Sequence, residues 1–326
     1  MQKQKINNTN LEPTRIVLGC MNLGKEKANP GASESEMKRT ALKAINTALE
    51  NGITMFDHAD IYARGKSEEL FSEIWNEHPG LRSQIILQTK CGIVFGGVPT
   101  PDAPHRFDFS YEHIIESVEG SLKRLKTDYL DILLLHRPDP LVEPEEVARA
   151  FDELHKSGKV KFFGVSNHTG YQIDLLCKYV DQPIVVNQLE VNVIHSDLIN
   201  AGVIANQRKP ETFIRGEGTL DYCRLYNITV QAWSPLAVGA FEYNGQGNDE
   251  YKKNLANVIS EIAESRKVSK EAVVTAWLLR HPAKIQPVIG TRNPERIAAI
   301  CQADTFELTR YEWYKLFIAG RGEDVP

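Results

Sequence analysis

The chain lacks the features that would send it into a membrane or out of the cell. No apolar run is long enough to cross a bilayer. Met1 to Asn10 is polar and has no signal-peptide core, so export is not expected. Cysteine is scarce: Cys20, Cys91, Cys177, Cys223 and Cys301 are scattered without paired spacing, which argues for free thiols in a reducing cytoplasm. No Cys/His pair stands at ligand spacing, so no metal site is expected. Lys and Arg number 38 against 43 Asp and Glu, a net charge of -5 with no basic stripe, which excludes a nucleic-acid partner. A Gly-x-Ser-x-Gly elbow is absent, and no Gly-x-Gly-x-x-Gly opens a helix, so neither a serine nucleophile nor a Rossmann cofactor site is expected. No linker, low-complexity run or second hydrophobic core appears, and residues 1–326 read as one domain.

What is present is alternation. Strands are expected at 15–18, 53–56, 85–89, 129–135, 160–165, 184–189, 228–233 and 286–289. Helices are expected at 35–50, 67–76, 111–125, 144–157, 171–179, 220–226, 252–266, 270–279, 294–301 and 309–318. The strands are nearly continuous apolar runs, as when both faces are buried. Strand–helix alternation implies parallel strands with right-handed crossovers. Eight such units in a chain somewhat above ~250 residues fit a closed α/β architecture, the (β/α)8 TIM barrel. Helix-to-strand links are short, as at Asn51-Gly52 and Lys156-Ser157-Gly158, whereas strand-to-helix links run long, as at 91–109 and 190–219. The irregular length therefore gathers on the C-terminal face of the strands, where barrels keep their sites. No exposed apolar helix face stands out, so monomer and homo-oligomer both stay open.

The strand ends carry the chemistry. In order they read Gly19-Cys20-Met21, Asp57, Lys90, His136, Ser166-Asn167, Gln188, Trp233-Ser234-Pro235 and Gly290-Thr291-Arg292, with Tyr62 one loop past Asp57. Singly, Asp57 reads as a turn cap, His136 as a satisfied core histidine, Tyr62 and Trp233 as packing. Lys90 resists such a reading, because burying a lone ammonium is costly. On one rim, Asp57, Tyr62, Lys90 and His136 make a set of acids and bases able to move a proton. A glycosidase would pair Asp57 with Asp60 or Glu190 and leave the lysine and tyrosine unused.

Several motifs give the set a family. Gly52-Ile53-Thr54-Met55-Phe56-Asp57-His58-Ala59-Asp60-Ile61-Tyr62, Thr89-Lys90, Leu135-His136, Gly164-Val165-Ser166-Asn167, Asn187-Gln188, Trp233-Ser234-Pro235-Leu236 and Pro287 to Arg296 together resemble the aldo-keto reductases, from Arg15 to Cys301. The wording is similar to the bacterial and potassium-channel β-subunit-like branch. The resemblance implies an NADP(H)-dependent reduction of an aldehyde or ketone carbonyl. Tyr62 would be the general acid, Lys90 would lower its pKa, Asp57 would pair with Lys90, and His136 would orient the carbonyl. Ser166, Asn167 and Gln188 would hold the nicotinamide carboxamide, and Trp233 would stack under the ring. Ser234, Leu236 and Gly239 would line the pyrophosphate, beside Pro235. Gly290, Thr291 and Arg296 would meet the adenosine 2′-phosphate beside Arg292, favouring NADPH over NADH. Gly19, Cys20, Met21 and Asp57 complete the cofactor set. Gly290 stands where relatives place a lysine, and Ile300 where they often place Asn or Gln. Substrate walls are expected from Met21 and Asn22, 91–109 and 190–218, with Ile93 and Phe95 apolar and His105, Arg106 and Arg215 able to meet an anion. The partner is a small carbonyl compound. A redox-sensing regulatory subunit with bound NADP is the alternative role.

Overall fold

The computed structural model describes residues 1–25, 31–204, 218–237 and 250–326. In its first half the elements run β1 (Val17–Gly19), α1 (Glu34–Glu50), β2 (Met55–Asp57), α2 (Lys66–Ser72), α3 (Ile74–Glu77), β3 (Ile86–Cys91), β4 (Ile93–Val94), β5 (Arg106–Phe107), α4 (Tyr111–Leu125), β6 (Leu130–Leu135) and α5 (Pro144–Lys156). The second half adds β7 (Val160–Ser166), α6 (Gly170–Cys177), β8 (Ile184–Glu190), α7 (Asp197–Val203), α8 (Thr219–Leu225), β9 (Thr229–Trp233), α9 (Glu250–Arg266), α10 (Lys270–Leu279), β10 (Gln286–Ile289), α11 (Pro294–Cys301) and α12 (Arg310–Arg321). The strands close as β1-β10-β9-β8-β7-β6-β3-β2, all parallel: the expected (β/α)8 barrel.

Local chemistry explains the element ends. Ser33 and Glu36 form a reciprocal capping box on α1, satisfying N–H groups that the first turn leaves free. The helix stops at Asn51, and Gly52 takes a φ of +83°, open to glycine at no steric cost. Ser110 caps α4, Ser269 caps α10, and Asn293 followed by Pro294 opens α11. Amphipathic faces such as Ile114, Val118, Leu122 and Leu125 of α4 then bury against the barrel wall.

Three stretches add to or depart from the sequence expectation. The polar N-terminus is ordered: the Gln4 N–H donates to the Pro13 carbonyl and the Ile6 N–H to that of Leu11. Ile6 is fully buried among Val17, Met55, Ile132, Leu134, Val185, Val186 and Val288, plugging the bottom of the barrel. One isoleucine in a polar run leaves no periodic signal. The 91–109 loop holds an antiparallel hairpin, β4 against β5, and the long loop after β8 holds α7. Finally, α6 does carry an exposed apolar face: Tyr171 is 79% exposed and Leu175, one turn on, 46%. Its inward residues Ile173 and Leu176 are apolar too, which erases the contrast that periodicity reads. Among the described residues, no helix is long and apolar enough to cross a membrane.

Candidate active site

Lys90 lies within β3, its side chain inside the barrel and 1% exposed. Its Nζ donates to Asp57 Oδ1 at 2.8 Å and Oδ2 at 2.7 Å, to the His58 carbonyl at 2.9 Å, and lies 3.0 Å from Tyr62 Oη. Asp57 ends β2, directly beside Gln88 in register. So a carboxylate, an ammonium and a phenol from three separate segments share one hydrogen-bonded centre. His136 follows β6, where its N–H donates to the Cys91 carbonyl, and its ring stands 5.9 Å from that of Tyr62 at 82°.

Burial pulls the Lys90 ammonium down, but the Asp57 carboxylate and Tyr62 outweigh it and the net direction is up. The buried lysine therefore stays charged. For Tyr62 the expected depression does not win: burial raises the phenol above its ordinary value, with Lys90 opposing and Asp57 adding to the rise. Tyr62 is thus a protonated phenol at neutral pH, poised to donate, beside a cation able to stabilise the phenolate it leaves. Burial, then the charges of Lys90 and Arg137, hold His136 well below its ordinary range, so the imidazole is neutral.

Tyr62 sits on a strained turn. Ala63 (φ 50°, ψ 38°), Arg64 (φ 55°, ψ 42°) and Gly65 (φ 89°) follow it in left-handed conformation. The two non-glycine residues cost about 1–2 kcal/mol each. A half-buried arginine and a buried glutamate brace the turn. Arg124, from α4, lies across Gly65 so closely that a Cβ there would come 2.6 Å from Arg124 Cδ. Its Nε donates to Glu68 Oε2 at 2.7 Å, and Glu68 Oε1 accepts from Thr89 Oγ1 at 2.8 Å, next to Lys90. Sequence reasoning missed Glu68 and Arg124. α2 opens Lys66-Ser67-Glu68-Glu69, where an acidic residue in the first turn is ordinary and gives no signal of a buried partner.

Asp60, two residues before Tyr62, is half-buried, and its Oδ1 is covered from solvent with no partner among the described residues. Burial and the Glu68 charge push its carboxyl up to about 7, against the hydrogen bonds of Ser117 and the Ile61 N–H. Folded Asp60 keeps its proton to about pH 7, whereas the unfolded residue loses it near 3.8, so folding takes up a proton and stability falls as pH rises through that window. Asp60→Asn should therefore stabilise by about 2–4 kcal/mol at pH ~8 and much less at pH ~4.5. Urea unfolding at the two pH values measures this, and an equal effect at both would refute it.

Of the residues expected to face a cofactor, several gather at the same mouth. Ser166 Oγ donates to the Gln188 carbonyl at 2.8 Å; Asn167, at φ 61°, gives Nδ2 to Ser166 Oγ at 2.8 Å and to the His136 carbonyl at 3.2 Å. Trp233 Nε1 donates to Asn167 Oδ1 at 3.1 Å, which fixes the half-buried indole edge-on beside them. Gln188 has only part of its amide free for the expected role. Its Nε2 turns into the barrel, 3.0 Å from both Asp57 Oδ1 and Gln231 Oε1, so only its Oε1 is left for the cleft. Cys20 also faces away: its sulfur is fully buried and its N–H donates to the Asp57 carbonyl. Met21 is 39% exposed at the rim. Gly19 packs against β10, where a Cβ would come 3.1 Å from Val288. Pro235 is buried, Leu236 is half-buried, and the Ser234 carbonyl accepts from Asn192 Nδ2 at 3.1 Å. Gly239 and Arg215 lie outside the described residues.

At the end of β10, the Gly290 carbonyl accepts from Asn22 Nδ2 at 2.6 Å, and a Cβ at Gly290 would meet only that nitrogen, at 3.7 Å. Thr291 Oγ1 accepts from the Asn293 N–H at 3.1 Å. The Arg292 guanidinium lies 3.5 Å from the Asn22 carbonyl and 3.4 Å from that of Lys25, tying down the loop after β1. Arg296 stands in the first turn of α11 with its Nε 3.2 Å from Glu271 Oε1. A flat indole, amide groups beside it, and two guanidiniums near a helix start fit a ring at one end of a ligand and an anion at the other. In the loop expected to wall a substrate, Phe95 of the β4–β5 hairpin lies under Arg64, 4.9 Å from its centroid, and Phe95, His105 and Phe107 form an aromatic row. No group of three or more His, Cys, Asp or Glu among the described residues is placed to hold a metal ion.

Comparison with known proteins adds four findings. A model described as the aldo/keto reductase family matches residues 15–318. An oxidoreductase of Bacillus subtilis, YcsN, described as uncharacterized, is 40% identical over 290 residues, 87% of this chain and 89% of the relative. A 6-dehydroglucose reductase of Agrobacterium fabrum is 36% identical over 316 residues, 97% of each chain. Among solved structures, a glycerol dehydrogenase from Gluconobacter oxydans aligns with a TM-score of 0.79 over 98% of this chain and 94% of that one; at 22% identity the likeness is one of fold.

Proposed function

The chain belongs to the aldo/keto reductase family, and from that premise we propose that it reduces the carbonyl of an aldehyde or ketone to an alcohol with NADPH, Tyr62 supplying the proton. The carrying observation is the Tyr62 hydroxyl 3.0 Å from a buried ammonium that both oxygens of Asp57 hold. We read residues 1–326 as one domain built on this barrel.

A nicotinamide cofactor, the family's general requirement, supplies the hydride when bound. The chain's own residues do the rest. Tyr62 donates its phenolic proton to the oxygen as negative charge develops there, and Lys90 stabilises the resulting phenolate. Asp57 keeps Lys90 aimed at Tyr62. His136 Nδ1 is buried without a partner. Leaving it as a bare lone pair costs less than burying an unpaired N–H, which puts the proton on Nε2. That N–H can donate to the carbonyl oxygen and orient it. Ser166, Asn167 and the Gln188 carbonyl oxygen of the side chain offer groups for a carboxamide, and Trp233 a face for the ring. A glycosidase role loses support, because Lys90, Gln88 and Gln188 already occupy the Asp57 oxygens. The complete proton-transfer set likewise favours turnover over a purely redox-sensing subunit.

The relative named for 6-dehydroglucose makes a polar sugar aldehyde the first substrate to try. Loss of NADPH absorbance with a panel of sugar, aliphatic and aromatic aldehydes tests the reading; no consumption with any of them would reject it. For the cofactor, Arg296→Met should weaken NADPH binding roughly 10- to 100-fold, the value of one charge-assisted contact, and leave NADH binding alone. Equal losses for the two cofactors in fluorescence titrations would remove Arg296 from the 2′-phosphate.

A further inference from the structure

Four glutamines line the barrel interior beneath the proton-transfer centre: Gln88 on β3, Gln188 on β8, Gln231 on β9 and Gln286 on β10, each at most 2% exposed. Gln188, Gln231 and Gln286 are in-register neighbours across three strands, and Gln88 is the in-register neighbour of Asp57. We propose that Gln231 is a positioning residue, the central rung of an amide ladder that holds the Asp57 carboxylate in register with the Lys90 ammonium. The proposal rests on reading Tyr62 and Lys90 as the proton-transfer pair.

The ladder runs in one sense only. At the bottom, the Thr14 carbonyl can only accept, and Gln286 Nε2 donates to it at 2.9 Å. Gln286 must therefore offer its Oε1 upward, where it accepts from Gln231 Nε2 at 2.9 Å. Gln231 is then bound to present its Oε1 to the next level. There it accepts from Gln88 Nε2 at 2.8 Å and Gln188 Nε2 at 3.0 Å. Each of those amide groups spends its second N–H on Asp57 Oδ1, at 2.6 Å and 3.0 Å. Flipping any rung sets oxygen against oxygen. The arrangement leaves Gln88 Oε1 buried with no partner among the described residues. The alternative orientation would aim that oxygen at a carboxylate, which is worse. With Oδ1 held by both amides and Oδ2 by Lys90, the Asp57 carboxylate is kept from rotating away from Lys90, and the ammonium stays aimed at Tyr62.

Two substitutions separate this role from space-filling. Gln231→Met keeps volume and removes both rungs. Gln231→Glu keeps them only while the new acid is neutral, its O–H donating to Gln286 and its carbonyl accepting from Gln88 and Gln188. Burial and the nearby Asp57 raise the pKa of such an acid, and its ionisation sets a second negative charge beside Asp57. With the best aldehyde substrate and NADPH, Gln231→Met should lose about tenfold or more in kcat at every pH, with unchanged NADPH affinity. Gln231→Glu should be near normal at the acid end and lose activity as pH rises, through a limb additional to any that Asp60 gives the parent enzyme. A Met variant with parental kcat, or a Glu variant that tracks the parent at all pH values, would overturn the proposal. A folding measurement needs no substrate: the coupling between Asp57 and Lys90, from the single and double variants Asp57→Asn and Lys90→Met, should fall by about half or more in the Gln231→Met background. Unchanged coupling overturns the ladder, while a parent that reduces nothing but shows reduced coupling in that background overturns only the reductase reading.

Discussion

Tyr62→Phe should lower kcat/KM for carbonyl reduction by about 10²- to 10⁴-fold, the usual worth of a positioned general acid, while NADPH binding and folding stay near normal. The geometry says why folding is spared. Without the phenol, Lys90 Nζ still has Asp57 Oδ1, Asp57 Oδ2 and the His58 carbonyl as acceptors, one for each of its protons. The pH dependence follows from the same centre. Burial holds Tyr62 protonated beyond its ordinary value and holds His136 neutral, so neither group changes charge between pH ~6 and ~9 and the parent enzyme should show no limb from them there. The reverse reaction, alcohol oxidation, needs the phenolate and should quicken as pH rises toward ~10. Asp60 does titrate at about 7, so a limb that disappears in Asp60→Asn belongs to the turn and not to the acid. Undiminished reduction by Tyr62→Phe would remove Tyr62 from the chemistry.

Of the four side chains proposed for proton transfer, Asp57, Lys90 and His136 could be seen in the sequence because each interrupts or ends an apolar strand, and Tyr62 because it stands one loop past Asp57. Lys90 is the clearest, since no apolar barrel accepts an ammonium without a partner. Strand positions were legible for the same reason that side-chain direction was not. Both faces of a barrel strand are buried, so alternation gives no contrast between the interior and the helix layer. That is how Gln188, at a strand end, was read as offering its whole amide to the cofactor when its Nε2 points at Asp57 and only its Oε1 is left for the cleft. Gln88 and Gln231 were passed over as ordinary strand residues. Their signal was present: Gln88 and Lys90, like Gln231 and Trp233, are two apart, which puts each pair on one face. The Glu68–Arg124 brace was unreadable because it joins α2 to α4, and no local pattern encodes a contact between residues 56 apart. Loop conformation failed for a similar reason; the β4–β5 hairpin is two residues per arm, shorter than any alternation test can register.

Lys90→Met should be the most destabilising single change in the centre, and its partner substitution should reverse the effect. Lys90 is 1% exposed and is the only cation among the hydrogen-bond partners of Asp57 in the described structure. Removing it leaves a buried carboxylate with the amides of Gln88 and Gln188 and no compensating charge, a loss of about 3–5 kcal/mol. Adding Asp57→Asn makes the site neutral. An asparagine carbonyl can still accept from Gln88 and Gln188, and the thioether fills most of the space the lysine stem occupied. The double variant should thus recover most of the lost stability and none of the activity, since Tyr62 keeps its proton but has no ammonium to stabilise the phenolate it must become. Urea unfolding of the parent, both singles and the double gives the coupling directly, and NADPH-linked reduction of the same four proteins gives the catalytic side. A double variant no more stable than Lys90→Met would show that the charge pair is not what the buried site depends on; a double variant that regained turnover would show that Lys90 is not what Tyr62 depends on.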